Sequence, residues 1–468
     1  MSVKTAPAEP TAADGVEEGA ASRLPPGPPL PAWAQTLAFI LAGRQFLAAC
    51  ERHYGSAVTL STVFDRRFVM LFDPALVKQL FQAPHEQVNA GEANALLGPL
   101  LGERSVLVLD GAEHLRHRKL MLPPFHGQRM RGYEAAIRDA TDAEIDRWPV
   151  GEPFELHPSM QSLTLSVIIA AVFGYADGPE AAELRDRMRA MLDPVTRPRG
   201  IISLLILPRL GLDRSQERFA AARQELDALL YAEIERRRAD PELSQRDDVF
   251  SALLLAEDED GQRLTASEVR DELVTLLVAG HETSANGLAW TFDQLLRAPA
   301  ALARARRREV AYLDAVIKEA LRIRPVLPGV GRVVRGTPLR LGPWVIPVGT
   351  EVNVSIRTMH DLPRLFPEPG EFRPERFLED DAPDTYTWVP FGGGTRRCLG
   401  ASFALMEMRV ALDRILERTE LAAAGRRPDR AVFRAITIAP KFGVKVIMSR
   451  LPTPAADPAG ATLAAAGV

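Results

Sequence analysis

Apolar residues recur with helical spacing through most of this chain, from Pro74 to about Arg324, which predicts a mostly α fold. The longest such stretch, Ala266 to Arg297, contains no proline and reads as one long central helix. Short tracts of β-favouring residues flank the helical block. Ala57–Leu60 and Phe68–Phe72 read as a hairpin around Asp65-Arg66-Arg67. Leu339–Leu341, Val345–Pro347 and Val352–Val354 form a second β-rich patch, with Gly349-Thr350 as a turn. A proline-rich loop, Pro363 to Pro390, leads to a helix over Leu399–Arg418, and two strands, near Phe433–Ile438 and Val444–Met448, close the pattern. Ahead of it, Leu24–Pro29 is a stiff polyproline entry followed by a helical stretch to His53. There is no repeat and no linker in the middle, so one large domain over residues 24–450 is expected. The Ala/Glu/Pro-rich residues 1–23 and the Pro/Ala/Gly-rich residues 451–468 are expected to be disordered tails.

Composition narrows the function. The 468 residues are 46% hydrophobic, enough for a sizeable core, and carry a net charge of −4, which gives no sign of nucleic-acid binding. Two cysteines, Cys50 and Cys398, exclude a disulfide framework and fit a reducing cytoplasm. Residues 1–23 lack the apolar core of a signal peptide. The run Leu37–Cys50 is interrupted by Arg44 and too short to span a bilayer, so no membrane span is expected.

The candidate chemistry centres on Cys398, in the turn Pro390-Phe391-Gly392-Gly393-Gly394-Thr395-Arg396-Arg397-Cys398-Leu399-Gly400. A lone cysteine is more often a small buried hydrophobe than a ligand, and a glycine run is often only a loop. Here glycines would let the backbone pass close to something large and flat. Phe391 could keep water from a thiolate, and turn N–H groups could temper its charge. The pattern Phe-x-x-Gly-x-Arg-x-Cys-x-Gly, filled at every fixed position from Phe391 through Gly394 and Arg396 to Gly400, resembles the haem-binding signature of the cytochrome P450 family. The resemblance runs from about Leu24 to Arg450. It implies a P450-like domain with haem b held between the long central helix and the helix after the cysteine, and Cys398 as axial thiolate.

Other motifs fit the same family. Haem propionates need cations when buried. His114 and Arg118, four apart on one helix face, match the family's His-x-x-x-Arg. Arg332, after the loop Pro328–Gly331, and Arg396 complete the set that the resemblance implies. Glu319 and Arg322 with Arg376 of Pro-Glu-Arg-Phe resemble the family's structural triad that braces the cysteine loop. Ala279-Gly280-His281-Glu282-Thr283-Ser284 resembles the oxygen-activating motif. Gly280 weakens the helix, and Thr283 and Ser284 can bond back to carbonyls four residues earlier; either a locally widened helix or an ordinary close helix contact fits these residues. The resemblance implies that Thr283 holds the oxygen substrate and orders a water, while Glu282 relays protons from solvent.

By position, the substrate pocket falls at Val278, Ala279, Val326, Leu327, Val330 and Ile436, with the segments Asn89–Ser105 and Arg199–Leu212. The apolar run Ile201–Pro208 suits either an entrance lid, open or closed, within 187–216 or a core helix. A fatty acid, terpene, steroid or polyketide of the secondary-metabolite kind fits equally. The chain has no flavin-binding glycine fingerprint. A ferredoxin and its NAD(P)H-dependent reductase are the expected electron donors, attracted by Arg116, Lys119, Arg396, Arg397 and Arg409. The implied activity is hydroxylation or epoxidation by a soluble, bacterial-type, cytoplasmic monomer. The alternatives are a haem-thiolate peroxygenase, which the Glu282-Thr283 pair argues against, and a haem-binding sensor or carrier without turnover.

Overall fold

The computed structural model describes residues 23–64, 67–125, 127, 129–175, 178–196 and 215–450. Apart from Arg23, which bridges to Val345, both expected tails lie outside the described residues, as do the segment Arg199–Leu212 and the run Ile201–Pro208 within it. In chain order the elements are α1 (Ala32–Tyr54), β1 (Ala57–Leu60), β2 (Phe68–Leu71), α2 (Pro74–Gln82), β3 (Val88–Asn89), α3 (Gly98–Leu101), α4 (Gly111–Met121), α5 (Arg129–Ile145), β4 (Pro153–Glu155), α6 (Leu156–Phe173), α7 (Pro179–Thr196) and α8 (Ser215–Arg238). There follow α9 (Val249–Leu255), α10 (Ala266–Leu295), α11 (Pro299–Ala305), α12 (Val310–Ile323), β5 (Gly329–Val334), β6 (Leu339–Leu341), β7 (Trp344–Ile346), β8 (Glu351–Ser355), α13 (Ile356–His360), α14 (Ala401–Arg418), β9 (Thr419–Ala423), β10 (Ala431–Arg434), β11 (Thr437–Pro440) and β12 (Lys445–Arg450).

The long helix α10 starts where a complete capping box allows it. The Thr265 hydroxyl accepts from the Glu268 N–H, and the Glu268 carboxylate accepts from the Thr265 N–H at 2.7 Å. Its apolar residues then bury on nearly every side: α6 packs along it, α5 joins α6 to α14, and α12 packs on both α10 and α14. These helices enclose the main core, in which Leu277, Leu288, Phe292, Ile317 and Leu412 meet. Helix α6 is long and apolar enough to cross a bilayer by length and composition, but most of it is buried within the protein.

Parts of the two β-rich tracts of the sequence join into one five-stranded sheet, ordered β1-β2-β8-β5-β3, with β2 and β8 parallel, while β6 and β7 pair with each other as a separate two-stranded sheet. Two expectations need correction. Residues 329–331, expected as loop, begin strand β5, which pairs with β8 and β3. Glycines hide its alternation: a side chain at Gly329 would meet the Val354 carbonyl oxygen at 2.6 Å, so only glycine permits this strand spacing. The single strand expected near Phe433–Ile438 is instead the hairpin β10–β11, which turns at Ala435 with φ 51°.

Candidate active site

The turn before α14 is shaped by what it lies against. Gly392 and Gly394 have φ of 66° and 65°, the left-handed region that glycine favours. A Cβ on Gly394 would lie 2.0 Å from the Phe81 carbonyl oxygen, and one on Gly393 2.3 Å from the Phe81 ring. The loop is therefore pressed onto the end of α2. The Cys398 N–H donates to the Phe391 carbonyl at 3.0 Å. Burial raises the Cys398 thiol pKa, while the Gly400 N–H, Arg118 and Arg397 draw it down. Cys398 nonetheless keeps exposed surface. Phe391 packs edge-on to Trp388, with centroids 5.9 Å apart, and the Trp388 indole donates to the Lys318 carbonyl of α12 at 3.1 Å.

The three brace residues meet as expected. Arg322 donates to both oxygens of Glu319, at 2.7 and 2.9 Å. Arg376 and the Arg373 N–H donate to Glu319 Oε1 at 3.1 and 3.0 Å. The Arg322 guanidinium also holds the carbonyls of His360, Pro369 and Glu371. The connection onward is His360, a residue that the sequence motifs did not single out. Its Nδ1–H donates to the Arg322 carbonyl and its Nε2 accepts from the Val389 N–H, both at 3.2 Å. Val389 stands two residues before Phe391, so the triad reaches the cysteine turn through one imidazole.

The basic residues also converge. Asp110 does not cap α4 with its side chain; its carboxylate takes the N–H groups of Gly91 and Glu92 and, at 2.5 Å, Arg396. Arg396 further donates to the carbonyls of Val106 and Leu109. Burial first, then the charges of Arg396, Arg118 and Arg332, push His114 down to about 3. Burial and Arg396 bring Arg332 to about 10, against the pull of Asp110. Burial and Arg118 bring Arg396 to about 10, again against Asp110. Arg332 sits 5.5 Å over the Phe81 ring and, among the described residues, donates only to the adjacent Gly331 carbonyl. This cluster holds more positive charge than Asp110 answers. Among the described residues no group of three or more His, Cys, Asp or Glu could hold a bare metal ion. One thiol beside an excess of cations suits a metal that brings its own ring of ligands and anionic arms, so these residues fit haem.

On α10, Leu276, Ala279, Gly280 and Thr283 remain at least partly accessible at helical spacing, in a segment whose other faces are largely buried. The helix is not interrupted there. Thr283 Oγ1 donates to the Ala279 carbonyl at 2.5 Å. A Cβ on Gly280 would meet Ile168 of α6 at 2.8 Å, so this glycine provides a close helix contact rather than a widened turn. Glu282 does not face solvent, as a direct relay would need. It is buried against α6, where Oε2 accepts from Gln161 at 2.7 Å and Oε1 makes no hydrogen bond of standard geometry among the described residues. Burial raises its pKa, opposed by Gln161, Arg434 and Asn286.

Of the pocket candidates, Val326 and Val278 belong to the main core with Ala435, and the Ile438 N–H donates to the Val326 carbonyl at 2.8 Å, tying the late hairpin to that turn. Leu327 is half-buried, Val330 packs on the second core beside the sheet, and Ile436 is exposed at the hairpin tip. The expected ring of docking cations is largely neutralised. Arg116 pairs with Asp258 and Glu268, Lys119 with Glu259, Arg409 with Glu134 and Asp314, and Arg396 is turned inward. Arg397 remains exposed. Sequence reasoning also missed Glu407, on α14, which is fully buried with neither oxygen in a hydrogen bond of standard geometry. Burial pushes it up to about 8, with the Ser284 hydroxyl acting in the opposite direction. A carboxylate in step with Phe403 and Val410 on an apolar face was a signal available in the spacing.

Comparison with known proteins agrees with this geometry. Residues 25–445 match the cytochrome P450 family. The chain is 40% identical to putative cytochrome P450 135B1 of Mycobacterium tuberculosis and Mycobacterium bovis, over 90% of this chain and 91% of that one. It is 37% identical to putative cytochrome P450 138 of Mycobacterium tuberculosis, over 92% and 97%. Among solved structures, the retinoic-acid-bound cyanobacterial CYP120A1 superposes with a TM-score of 0.78 at 25% identity, over 92% of this chain and 100% of that one. The heme domain of cytochrome P450DA gives 0.79 at 23%, over 92% and 98%. With a family match across nearly its whole length and relatives this similar, the chain belongs to the cytochrome P450 family of haem-thiolate monooxygenases.

Proposed function

We propose that residues 24–450 form a haem domain that inserts one atom of O2 into a lipophilic small molecule, by hydroxylation or epoxidation, with electrons from a separate ferredoxin. The observation that carries this reading is Cys398, which keeps exposed surface while the Gly400 N–H and two arginines favour its anion. Cys398 would hold the iron, and His114, Arg118, Arg332 and Arg396 would pair with the propionates. Haem bound there supplies an iron made electron-rich by its thiolate, which favours O–O cleavage. Phe391, packed on Trp388, keeps water from the sulfur. Gly394 lets the turn press onto α2. Thr283 presents its hydroxyl on the accessible stripe of α10 beside Ala279. Glu282 is the proton source on that helix: burial raises its pKa, and Gln161 orients the carboxyl.

Val278, Val326, Leu327, Val330 and Ile436 are apolar and favour a substrate that is mostly hydrocarbon. A solved relative is bound to retinoic acid, which supports an elongated lipophile. Arg397 is the exposed cation left to meet an acidic donor in the cytoplasm. The test is turnover of haem-loaded protein with ferredoxin, its reductase and NADPH under isotopically labelled O2, across lipophilic compounds. One labelled oxygen atom per product molecule supports the proposal. Oxidation by hydrogen peroxide alone, with none from the ferredoxin system, would favour a peroxygenase.

A further inference from the structure

One buried ionisable cluster lies outside this machinery yet borders it. His117 is on α4, between His114 and Arg118 in sequence, and is buried. Its Nδ1 stands 2.7 Å from Glu272 Oε1 and its Nε2 3.2 Å from Glu268 Oε1, both carboxylates belonging to α10. Glu272 Oε1 also accepts from the Val106 N–H at 2.8 Å. With an N–H on each ring nitrogen His117 donates to both carboxylates at once, and although burial lowers its pKa, the hydrogen bonds and charges of Glu272 and Glu268 raise it overall. Arg116 binds Glu268 and Asp258 from the same helix, Asp271 is the neighbouring acid that acts on Glu272, and the charge of His117 is one of those that lower the His114 pKa. The network stops one peptide short of the cofactor cluster, because the Val106 carbonyl accepts from Arg396. The same segment is stitched to α10 by Arg104 N–H to Asp271 at 2.9 Å and by Thr275 to Ser105 at 2.7 Å.

We infer that His117 is a positioning residue: held between Glu268 and Glu272, it fixes α4 and the Val106 peptide on α10, and so sets where His114, Arg118 and Arg396 meet an anionic cofactor. The inference rests on the cofactor reading above. A glutamine at this position is neutral and carries its N–H donors on one atom, whereas the imidazolium has one on each of two ring nitrogens that face different carboxylates. Removing a partner that orients a cofactor-holding group typically weakens retention by roughly 10–100-fold.

The test is the rate of haem transfer from loaded protein to excess apomyoglobin, for wild type, His117→Gln and the double variant His117→Leu with Glu272→Leu. His117→Gln should release haem about tenfold faster, while the haem still bound keeps the thiolate signature of its carbon monoxide complex. The double variant removes the buried charges together, so its thermal midpoint should return to near that of wild type while haem loss stays fast. Unchanged release in His117→Gln, or retention restored in the double variant, overturns the inference. A wild type with no thiolate signature would remove the cofactor reading itself, which is a separate outcome.

Discussion

Replacing Glu319 should uncouple the cysteine turn from the helical core. Its side chain and that of Arg322 are fully buried, and its two oxygens take four donors: two from Arg322, one from Arg376 and the Arg373 N–H. Removing one partner of a buried ion pair costs about 3–5 kcal/mol, because the other charge is left unpaired. Glu319→Ala strands two guanidiniums. Arg322 keeps three carbonyl partners, so about 5 kcal/mol is a reasonable figure. Against a total stability of about 5–15 kcal/mol, that is a third or more. Glu319→Gln keeps the shape and loses the charge, and should cost about 3 kcal/mol. The effect should reach the haem, since Arg322 leads through His360 to Val389. Urea unfolding followed by tryptophan fluorescence and haem absorbance measures both, and Trp388, bonded to the Lys318 carbonyl, reports locally. A Glu319→Gln protein within about 0.5 kcal/mol of wild type, the range of a neutral surface change, would refute the reasoning.

Three further outcomes are expected. Thr283→Ala should keep consuming NADPH while forming less product and releasing more hydrogen peroxide; unchanged coupling would remove its role. His157, His281 and His360 are pushed by burial down to about 4, 4 and 3, so the unfolded chain binds protons that the native one refuses. Stability should therefore fall as pH drops from about 6.5 to 4, by up to roughly 3 kcal/mol per histidine; urea midpoints that do not move between about pH 7 and 5 would contradict this. Arg397→Glu should slow reduction by ferredoxin, and added salt should slow the wild type and narrow the difference; a salt-independent rate in both would exclude electrostatic docking there.

Much of the site was legible because its chemistry sits at short spacing. Phe391 through Gly400 is one turn, Glu319 and Arg322 are one helical turn apart, and His114 and Arg118 share a face. What was hidden depends on partners far along the chain. Nothing near Gly393 or Gly394 announces Phe81, more than three hundred positions earlier, although that contact explains both glycines. His360 gains its meaning from Arg322 and Val389. The sheet joins β2 to β8 across the whole helical block, a pairing that local alternation cannot specify. Counting cations misjudged the docking face for the same reason: Arg116 and Lys119 are answered by Asp258 and Glu259 on another segment. Glycine serves packing at Gly280, which is the close-contact alternative of the two that the local sequence left open.

The central claim is that Cys398 ligates haem iron as a thiolate. Reduced, haem-loaded protein under carbon monoxide should show the strongly red-shifted Soret band of thiolate ligation, and Cys398→His should bind haem without it. A wild type lacking that band, or a Cys398→His protein retaining it, would contradict the account.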